Sequence, residues 1–391
     1  MMTNGRQRMS SLASRRAAPS VLVLFALLAI LCTSAAAQQS EESIFRLVTF
    51  QTTGELRLGA TEGNGQKDIV DIHNAILALK AAGAPEVNNL AYIPADMRSL
   101  IEVGDSAVNA LKTVYRAALA HKTSGHLVDP GGERRVFHPS TSVRLRTPIT
   151  NPSKMFGLAG NYRREGETQE AAVPPTPATP PAEGGQAGGG LGRQPDRTLP
   201  SIFLKSVSAL VGPEDEIVMT DLLKDGYPST HEIEFAFIIG KRAKNVSEAD
   251  AMDYVFGYTV HNDVSGRTLR TGASSSEGSA MTKGMDTFAP TGPYITLKED
   301  VPDPYNLKME TKLNGVVFDM PNAHTKYMRH RIPATLSLLS HIMTLLPGDI
   351  IATGVPAPTA QLEDGDTVEI YIERLGTLRN YVVKYASKSS D

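Results

Sequence analysis

The sequence predicts an α+β protein that is mainly β, with a smaller N-terminal α+β domain and a C-terminal mixed β-sandwich or roll. Two observations predict this fold class. Residues 202–385 are dense in short apolar runs of strand length, separated by Gly, Pro and Asp-Gly turns. Residues 71–82 and 107–120 instead carry apolar residues at helical spacing. A hydrophobic content of 41% and a charged content of 21% are typical of a globular protein with a real core.

The first 37 residues have the three parts of a secretory signal peptide. Four arginines come first, and residues 21–31 then form an uninterrupted apolar run. Ala35-Ala36-Ala37 provides a cleavage site before Gln38. A membrane anchor is the alternative, but the apolar run is short for crossing a bilayer. We therefore expect an exported protein, periplasmic or secreted, with no stable membrane insertion after cleavage.

Removal of residues 1–37 would change both the charge and the thiol content of the chain. The single cysteine, Cys32, lies in this segment, so the mature chain would have neither a disulfide nor a thiolate nucleophile. Losing four arginines and no acidic residue would change the net charge from -3 to -7. An acidic chain without tryptophan offers no basic footprint for nucleic acid, and we expect no nucleic-acid partner.

The mature chain divides into two predicted domains. The N-terminal α+β domain, 41–147, begins with alternating runs at 45–50 and 55–59 that predict a β-hairpin, and continues with the two helical segments. The C-terminal domain, 148–391, contains an insertion at 168–197. This insertion is rich in Pro and Gly and has almost no apolar bulk, so we expect it to be mobile.

The sharpest local pattern is His231-Glu232-Ile233-Glu234, which opens a predicted strand. Period-two alternation places Glu232 and Glu234 on one face of the strand and Ile233 on the other. Two carboxylates about 7 Å apart repel each other unless a cation or a basic group lies between them. Oxygen ligands suit Mg²⁺, Mn²⁺ or Ca²⁺. Taken alone, such a pattern is more often a solvated polar strand face.

Three further segments offer polar groups that could complete a site. Asp263, just after a strand, could be a third carboxylate ligand, and Arg267 could hold a substrate carboxylate through a bidentate contact. Lys283, in a loop with Gly and Pro, could stabilise an enolate oxygen. Thr353 and Gly354 lie in a turn where the backbone can approach a ligand closely. An Asx turn, a surface lysine and a purely structural turn are the respective alternatives.

Taken together, these segments resemble the fumarylacetoacetate hydrolase family over almost the whole mature chain, from about residue 45 to 383. In chain order, the segments that carry the resemblance are GNY at 160–162, FLK…SALVGP at 203–213, the strand with Glu232 and Glu234, GKRAKNVSEADAMDYVFGYTVHNDVSGR at 240–267, KGMDTFAPTGP at 283–293, LNG at 313–315 and LPGDIIATGVP at 346–356. The run at 240–267 is the most specific of them.

The resemblance implies a β-rich C-terminal fold and a set of site residues. The metal positions of the family fall on Glu232, Glu234 and Asp263, with a divalent cation that is usually Mg²⁺, Mn²⁺ or Ca²⁺. Its active-site lysine falls on Lys283, and its substrate-side threonine turn falls on Thr353. Members are commonly homodimers that cleave C–C bonds in 1,3-diketo acids, decarboxylate oxaloacetate-like acids or tautomerise them. The implied ligand is a small dioxo acid.

One departure from the family pattern concerns the activation of water. Many members have a histidine three residues after the tyrosine of the NY motif, followed by a glutamate three residues later. These positions are Glu165 and Thr168 here, and the Pro/Gly-rich insertion follows directly. Glu165 is therefore the candidate acid or base if its pKa is raised near the site. The missing histidine leaves open an alternative function, a non-catalytic exported protein that binds a metal or ligand.

Overall fold

The structure is a computed structural model that describes residues 43–63, 67–163, 199–220, 229–266, 278–356 and 358–384. The predicted signal peptide at 1–37 and the predicted mobile insertion at 168–197 lie outside these residues. Residues Ile44–Asp391 form one compact unit. No helix in the described ranges has both the length and the apolar character needed to cross a membrane.

The described residues contain twenty strands and five α-helices. The strands are β1 Phe45–Gln51, β2 Leu56–Glu62, β3 Ile69–Asp71, β4 Phe137–His138, β5 Arg144–Leu145, β6 Met155–Ala159, β7 Ser201–Lys205, β8 Leu210–Val211, β9 Glu216–Met219, β10 Ser229–Thr230, β11 Ile233–Ile239, β12 Val255–Asn262, β13 Ser265–Gly266, β14 Ala289–Leu297, β15 Met309–Leu313, β16 Val316–Phe318, β17 Ile350–Ala352, β18 Gln361–Leu362, β19 Thr367–Ile372 and β20 Gly376–Lys384. The helices are α1 Ile72–Ala81, α2 Met97–Val103, α3 Asp105–Thr123, α4 Gly278–Lys283 and α5 Ile332–Ile342.

The N-terminal strands and helices form as the sequence predicts. Strands β1 and β2 pair antiparallel along their whole length, which confirms the predicted hairpin. Asp71 then caps α1, because its Oδ1 accepts a hydrogen bond from the backbone N–H of Asn74 at 2.9 Å. Both helical segments, 71–82 and 107–120, are confirmed as α1 and α3.

Three sheets organise the described chain. The largest has twelve strands in the order β4-β3-β2-β1-β14-β12-β11-β17-β6-β7, with β5 paired to β1 and β8 paired to β14. A five-stranded sheet runs β16-β15-β19-β20-β9, and a small one runs β13-β10-β18. Antiparallel pairs dominate, and β17–β6, β14–β8 and β20–β9 are parallel. The predicted α+β, mainly β fold with mixed sheets is confirmed.

Strand β11 separates two hydrophobic cores. Phe235 and Phe237 face a core shared with the five-stranded sheet and α5. Ala236 and Ile238 face a second core, shared with α1, α2 and α3. The large sheet is thus covered on both faces, which explains why every residue of β11 is buried. Strand β1 pairs with β14 in this same sheet, and the domain boundary near residue 147 stays a prediction.

Candidate metal and catalytic site

Three carboxylates converge where β11 begins and β12 ends. These strands are antiparallel neighbours, with Ile233 opposite Asn262 and Glu234 opposite His261. Just before β11, the carbonyl of Glu232 accepts a hydrogen bond from the backbone N–H of Asp263 at 2.9 Å. One carboxylate oxygen from each of Glu232, Glu234 and Asp263 lies within 4.8 Å of the others. The strand pairing therefore brings together the three residues that the sequence pattern singled out.

All three carboxylates are shielded from water. Glu232 is 4% exposed, and Glu234 and Asp263 are fully buried. Ile233, Phe235 and Phe237 lie in the core on the opposite face of the strand, as the alternation predicts. The solvated polar face, which is the more frequent explanation of such a pattern taken alone, is therefore wrong. Buried charges of like sign need compensation, because desolvation costs several kcal/mol for each ion.

Two lysines supply part of that compensation. Lys205, at the end of β7, donates from Nζ to Asp263 Oδ1 at 2.5 Å and to the carbonyl of Val264 at 3.2 Å. Lys283, at the end of α4, donates to Glu232 Oε2 at 2.8 Å and also to Asp263 Oδ2. Its side chain is 15% exposed, so the alternative of a surface lysine is also wrong.

Lys205 is a site residue that the sequence reasoning missed. Its side chain is only 1% exposed, which is rare for a lysine without a functional or structural partner. The available indication was a charged residue at the end of the apolar run Ile202-Phe203-Leu204, within a segment that carries the family resemblance. The Phe203 ring of the same strand lies 5.1 Å from Lys283 Nζ.

The lysines and burial shift the pKa values of two of the carboxylates in opposite directions. Burial opposes ionisation of Asp263, but Lys205 and Lys283 outweigh it and lower the pKa of Asp263 to about 2. Burial, with the neighbouring Asp263, raises the pKa of Glu234 well above its ordinary value. Burial opposes the charge on Lys283 too, yet Asp263 and Glu232 raise its pKa. Asp263 and Lys283 are thus an ion pair, whereas Glu234 holds its proton more readily.

Glu234 has the free ligand atom that a cation site requires. Its Oε2 accepts a hydrogen bond from the backbone N–H of Gly354 at 2.7 Å. Its Oε1 is buried and has no hydrogen-bond partner among the described residues. On Glu232, Oε1 is held by the Ser265 hydroxyl at 3.0 Å. Oriented oxygen-only ligands fit a hard divalent cation such as Mg²⁺, Mn²⁺ or Ca²⁺.

The predicted turn at Thr353 and Gly354 supports the cluster from one side. Thr353 Oγ1 donates to the carbonyl of Phe235 at 2.7 Å, and the Tyr162 hydroxyl lies 3.3 Å from the same Oγ1. Gly354 has φ +95°, and a Cβ there would lie 2.9 Å from the carbonyl oxygen of Leu158. Only glycine fits this position without strain. A role of this turn in substrate binding stays a prediction.

Asn161 ties this turn to a loop that is distant in sequence. Its Nδ2 donates to the carbonyl of Thr353 at 2.8 Å and to that of His330 at 3.1 Å. Its Oδ1 accepts from the backbone N–H of His330 at 2.7 Å. The asparagine of the NY motif therefore positions the turn that holds Glu234.

A buried histidine, His261, lies opposite Glu234 on the neighbouring strand. The Thr291 hydroxyl donates to the carbonyl of Ala289 at 3.1 Å and lies 2.9 Å from His261 Nδ1. This contact fixes the orientation of the His261 ring. Burial and then Lys205 lower the pKa of His261 to about 3, so the ring is neutral at pH 7.

Two predicted site residues, Glu165 and Arg267, lie outside the described residues. Their roles as acid or base and as a carboxylate anchor stay predictions. Among the predicted residues that are described, Glu232, Glu234, Asp263 and Lys283 come together in one buried cluster.

Comparison with known proteins relates this geometry to a family. A family model described as fumarylacetoacetate (FAA) hydrolase C-terminal matches residues 154–383. The oxaloacetate tautomerase fahd2, mitochondrial, of Xenopus laevis is 31% identical over 298 residues, which are 74% of this chain and 79% of that protein.

Solved structures of related enzymes are also similar to this chain. Maleylpyruvate hydrolase from Sphingobium sp. SYK-6, in complex with manganese(II) ion and pyruvate, is similar with a TM-score of 0.61 and 29% identity, over 87% of this chain and all of that one. A 2-hydroxyhepta-2,4-diene-1,7-dioate isomerase from Mycobacterium marinum has a TM-score of 0.57 and 29% identity, over 88% of this chain and all of that one. The manganese-bound relative and the buried carboxylates together support a divalent cation at this site.

Proposed function

We propose that this chain, which belongs to the fumarylacetoacetate hydrolase family, acts on a small acidic 1,3-diketo or 2-oxo acid with the help of a divalent cation. It is an enzyme of that family, a hydrolase or a related isomerase. The observation that carries the proposal is the convergence of two lysine ammonium groups on three buried carboxylates. Two ammonium groups cannot balance three carboxylates, so the third carboxylate needs either a proton or a bound cation.

Glu232, Glu234 and Asp263 are the residues that would hold the cation, and we propose Mg²⁺ as the physiological ion. Bound there, a divalent cation acts as a Lewis acid toward the oxygens of a dioxo acid. The chain contributes orientation, since Ser265 and the N–H of Gly354 fix two of the carboxylates. It also excludes water, because these carboxylates are buried.

The lysines provide the positive charge that enolate chemistry needs. Lys283 keeps its proton on Nζ, since two carboxylates surround it, and it can donate a hydrogen bond to a developing enolate oxygen. Lys205 is more deeply buried and contacts Asp263 from the other side. We therefore propose that Lys283 binds the substrate and that Lys205 positions Asp263. Glu165 remains the proposed acid or base, and Arg267 the proposed anchor for a substrate carboxylate.

Two reactions share this enolate chemistry, and relatives are known for each. The relative from Xenopus laevis is named a tautomerase, and the relative from Sphingobium is named a hydrolase. Hydrolysis needs a group that activates water, and the family histidine for this task is replaced by Glu165. Tautomerisation needs only proton transfer to and from an enolate. The replacement therefore favours keto–enol conversion over hydrolysis.

The test is a direct comparison of two assays on the purified mature protein loaded with Mg²⁺ or Mn²⁺. Ultraviolet absorbance follows ketonisation of enol-oxaloacetate, and a second assay follows cleavage of acylpyruvates. We expect turnover in at least the first assay, and loss of turnover in Lys283→Met while cation binding persists. If the loaded wild type turns over neither substrate class, the alternative of a non-catalytic metal-binding or ligand-binding protein becomes the better explanation.

We also propose that the protein is exported and forms a homodimer. Export follows from the order of basic, apolar and small residues in the first 37 positions. Mass measurement of the protein recovered from the producing cell should give an N-terminus at Gln38. Light scattering of the mature protein should give twice the monomer mass. A retained apolar run at residues 21–31, or a monomer at all concentrations, would contradict the respective proposal.

A further inference from the structure

A cleft lies on the outward face of the five-stranded sheet. In β15, Met309 and Thr311 are buried and point inward, so Glu310 between them points outward. Tyr371 of β19 is the direct partner of Glu310 and shares its face. The segment 320–327 covers this face and closes a cleft of about 300 Å³. None of the carboxylates of the metal site lines it.

The cleft holds two ammonium groups, and the nearby Glu373 carboxylate accepts a hydrogen bond from the backbone N–H of Lys308 at 3.1 Å. Lys308 and Lys326 line it, and neither makes an ion pair with a carboxylate among the residues that the structure describes. Glu310 is the one carboxylate among the described lining residues, and its Oε1 lies 3.5 Å from Nζ of Lys312, which does not line the cleft. Lys326 Nζ instead lies 5.0 Å from the centre of the Tyr327 ring. Unpaired cations that share a concave surface attract anions.

His324 adds a third donor to the same cleft. Its Nδ1 accepts a hydrogen bond from the backbone N–H of Lys326 at 3.1 Å. Burial, and then Lys326, lower the pKa of His324, so the ring is neutral at pH 7. A neutral ring whose Nδ1 accepts a hydrogen bond has its proton on Nε2. His324 therefore offers an N–H group without needing a positive charge.

The remaining wall of the cleft is apolar. Met320, Pro321, Ala323 and the ring of Tyr327 line it beside the donors. Apolar surface with a few convergent polar groups is the usual composition of a small-molecule site. The cleft therefore suits a small organic anion, with the charged groups at the lysines and the carbon chain against this wall.

We propose that this cleft is a second ligand site, which binds a small organic anion through Lys308, Lys326 and His324. The anionic group is a carboxylate or a phosphate, since both accept hydrogen bonds from lysine and imidazole N–H groups. The site is separate from the carboxylate cluster, so it does not depend on the reaction proposed above.

The cleft also borders the segment that supports the metal site. Asn322 Nδ2 donates to the carbonyl of Arg163 at 2.8 Å, and the N–H of Arg163 donates to the carbonyl of Tyr327 at 2.9 Å. Asn161, two residues before Arg163, holds the turn beside Glu234. An anion in the cleft would therefore rest on the same loop that positions this turn.

The test is calorimetric titration of the metal-loaded mature protein with succinate and, separately, with inorganic phosphate. We expect millimolar binding of at least one of them, and the tighter ligand identifies the anionic group. Replacing both Lys308 and Lys326 with Gln should weaken that binding about tenfold or more, since charge-assisted hydrogen bonds are lost. The matched control replaces Lys80 and Lys241, two exposed lysines away from the cleft, with Gln and should leave the affinity unchanged.

A further variant separates the cleft from the metal site. Glu232→Gln should retain the binding, because Glu232 does not line the cleft. The proposal is overturned if neither anion binds, or if the control loses as much affinity as the Lys308 and Lys326 variant. It is also overturned if Glu232→Gln abolishes binding while the lysine variant keeps it, since the anion would then occupy the carboxylate cluster. Retention of the native circular dichroism spectrum confirms that the variants are folded.

Discussion

Replacement of Lys205 by Met should destabilise the cation-free protein much more than the cation-loaded protein. Methionine has nearly the same shape, so the change removes the ammonium and keeps most of the packing. Lys205 Nζ lies 2.5 Å from Asp263 Oδ1, and both side chains are buried. At an effective dielectric constant of about 20, this separation corresponds to an attraction of about 7 kcal/mol before desolvation is subtracted.

The net loss of stability should be smaller than this attraction. Removing the lysine also removes its own desolvation cost, and Lys283 still contacts Asp263 Oδ2. Removing one partner of a buried ion pair typically lowers the free energy of unfolding by about 3–5 kcal/mol. Because Lys283 still pairs with Asp263, we expect a loss near the lower end of this range, about 3 kcal/mol in the absence of divalent cation.

Denaturant unfolding with and without saturating Mn²⁺ measures this difference. A divalent cation on the same carboxylates replaces the missing charge, so the loss should shrink when Mn²⁺ is present. Lys154→Met is the matched control, because Lys154 Nζ lies 2.7 Å from the buried Asp349 in a separate ion pair. Its loss should not depend on Mn²⁺. An equal loss for Lys205→Met with and without Mn²⁺ would refute the assignment of a cation to this cluster.

Four further outcomes are expected around the same cluster. Burial raises the pKa of Glu234 above its ordinary 4.5, so the cation-free folded state holds a proton that the unfolded state releases, and its stability should fall as the pH rises above 4.5. Mn²⁺ binding should displace this proton, and calorimetry in buffers of different ionisation enthalpy measures the release. Glu234→Gln should abolish the proton release. A wild type that releases no proton on binding Mn²⁺ contradicts this prediction. Asn161→Ala removes the side-chain hydrogen bonds to Thr353 and His330 and should lower the free energy of denaturant unfolding by about 2–3 kcal/mol. Mn²⁺ binding should also weaken. An unchanged Mn²⁺ affinity would count against the positioning role of Asn161. Gly354→Ala places a Cβ 2.9 Å from the carbonyl oxygen of Leu158 at a φ of +95° and should cost about 1–3 kcal/mol, seen as a lower melting temperature; a melting temperature equal to that of the wild type would show that the turn can relax.

Local sequence patterns predicted those features whose cause is local. The hairpin of β1 and β2 and the helices α1 and α3 follow from the periodicity of their apolar residues. The shared face of Glu232 and Glu234 follows from strand alternation alone. Alternation does not show whether a face meets water or protein, however. The buried surroundings of these carboxylates include β7 and the turn at Gly354, which lie far away in sequence.

The supporting contacts of the site required the fold. Lys205 and Asp263 are 58 residues apart, and their contact depends on how β7 reaches the end of β12. Asn161 contacts residues 169 and 192 positions away. No periodic pattern encodes such pairings, because sheet order and loop packing determine them. The family resemblance identified the segments that meet, but the hydrogen bonds of Lys205 and Asn161 became visible only in three dimensions.

The charge of the cluster connects the cation with the class of substrate. Three ionised carboxylates and two ammonium groups give a net charge of -1, and a proton on Glu234 makes the cluster neutral. With a divalent cation held and Glu234 ionised, the net charge becomes +1. A monoanion such as the carboxylate of a 2-oxo acid is then attracted, and a second negative charge on an enolate is attracted more strongly than the keto form. Under the proposed function, the cation-loaded site would bind the enolate form more tightly than the keto form, and preferential stabilisation of an intermediate lowers a barrier.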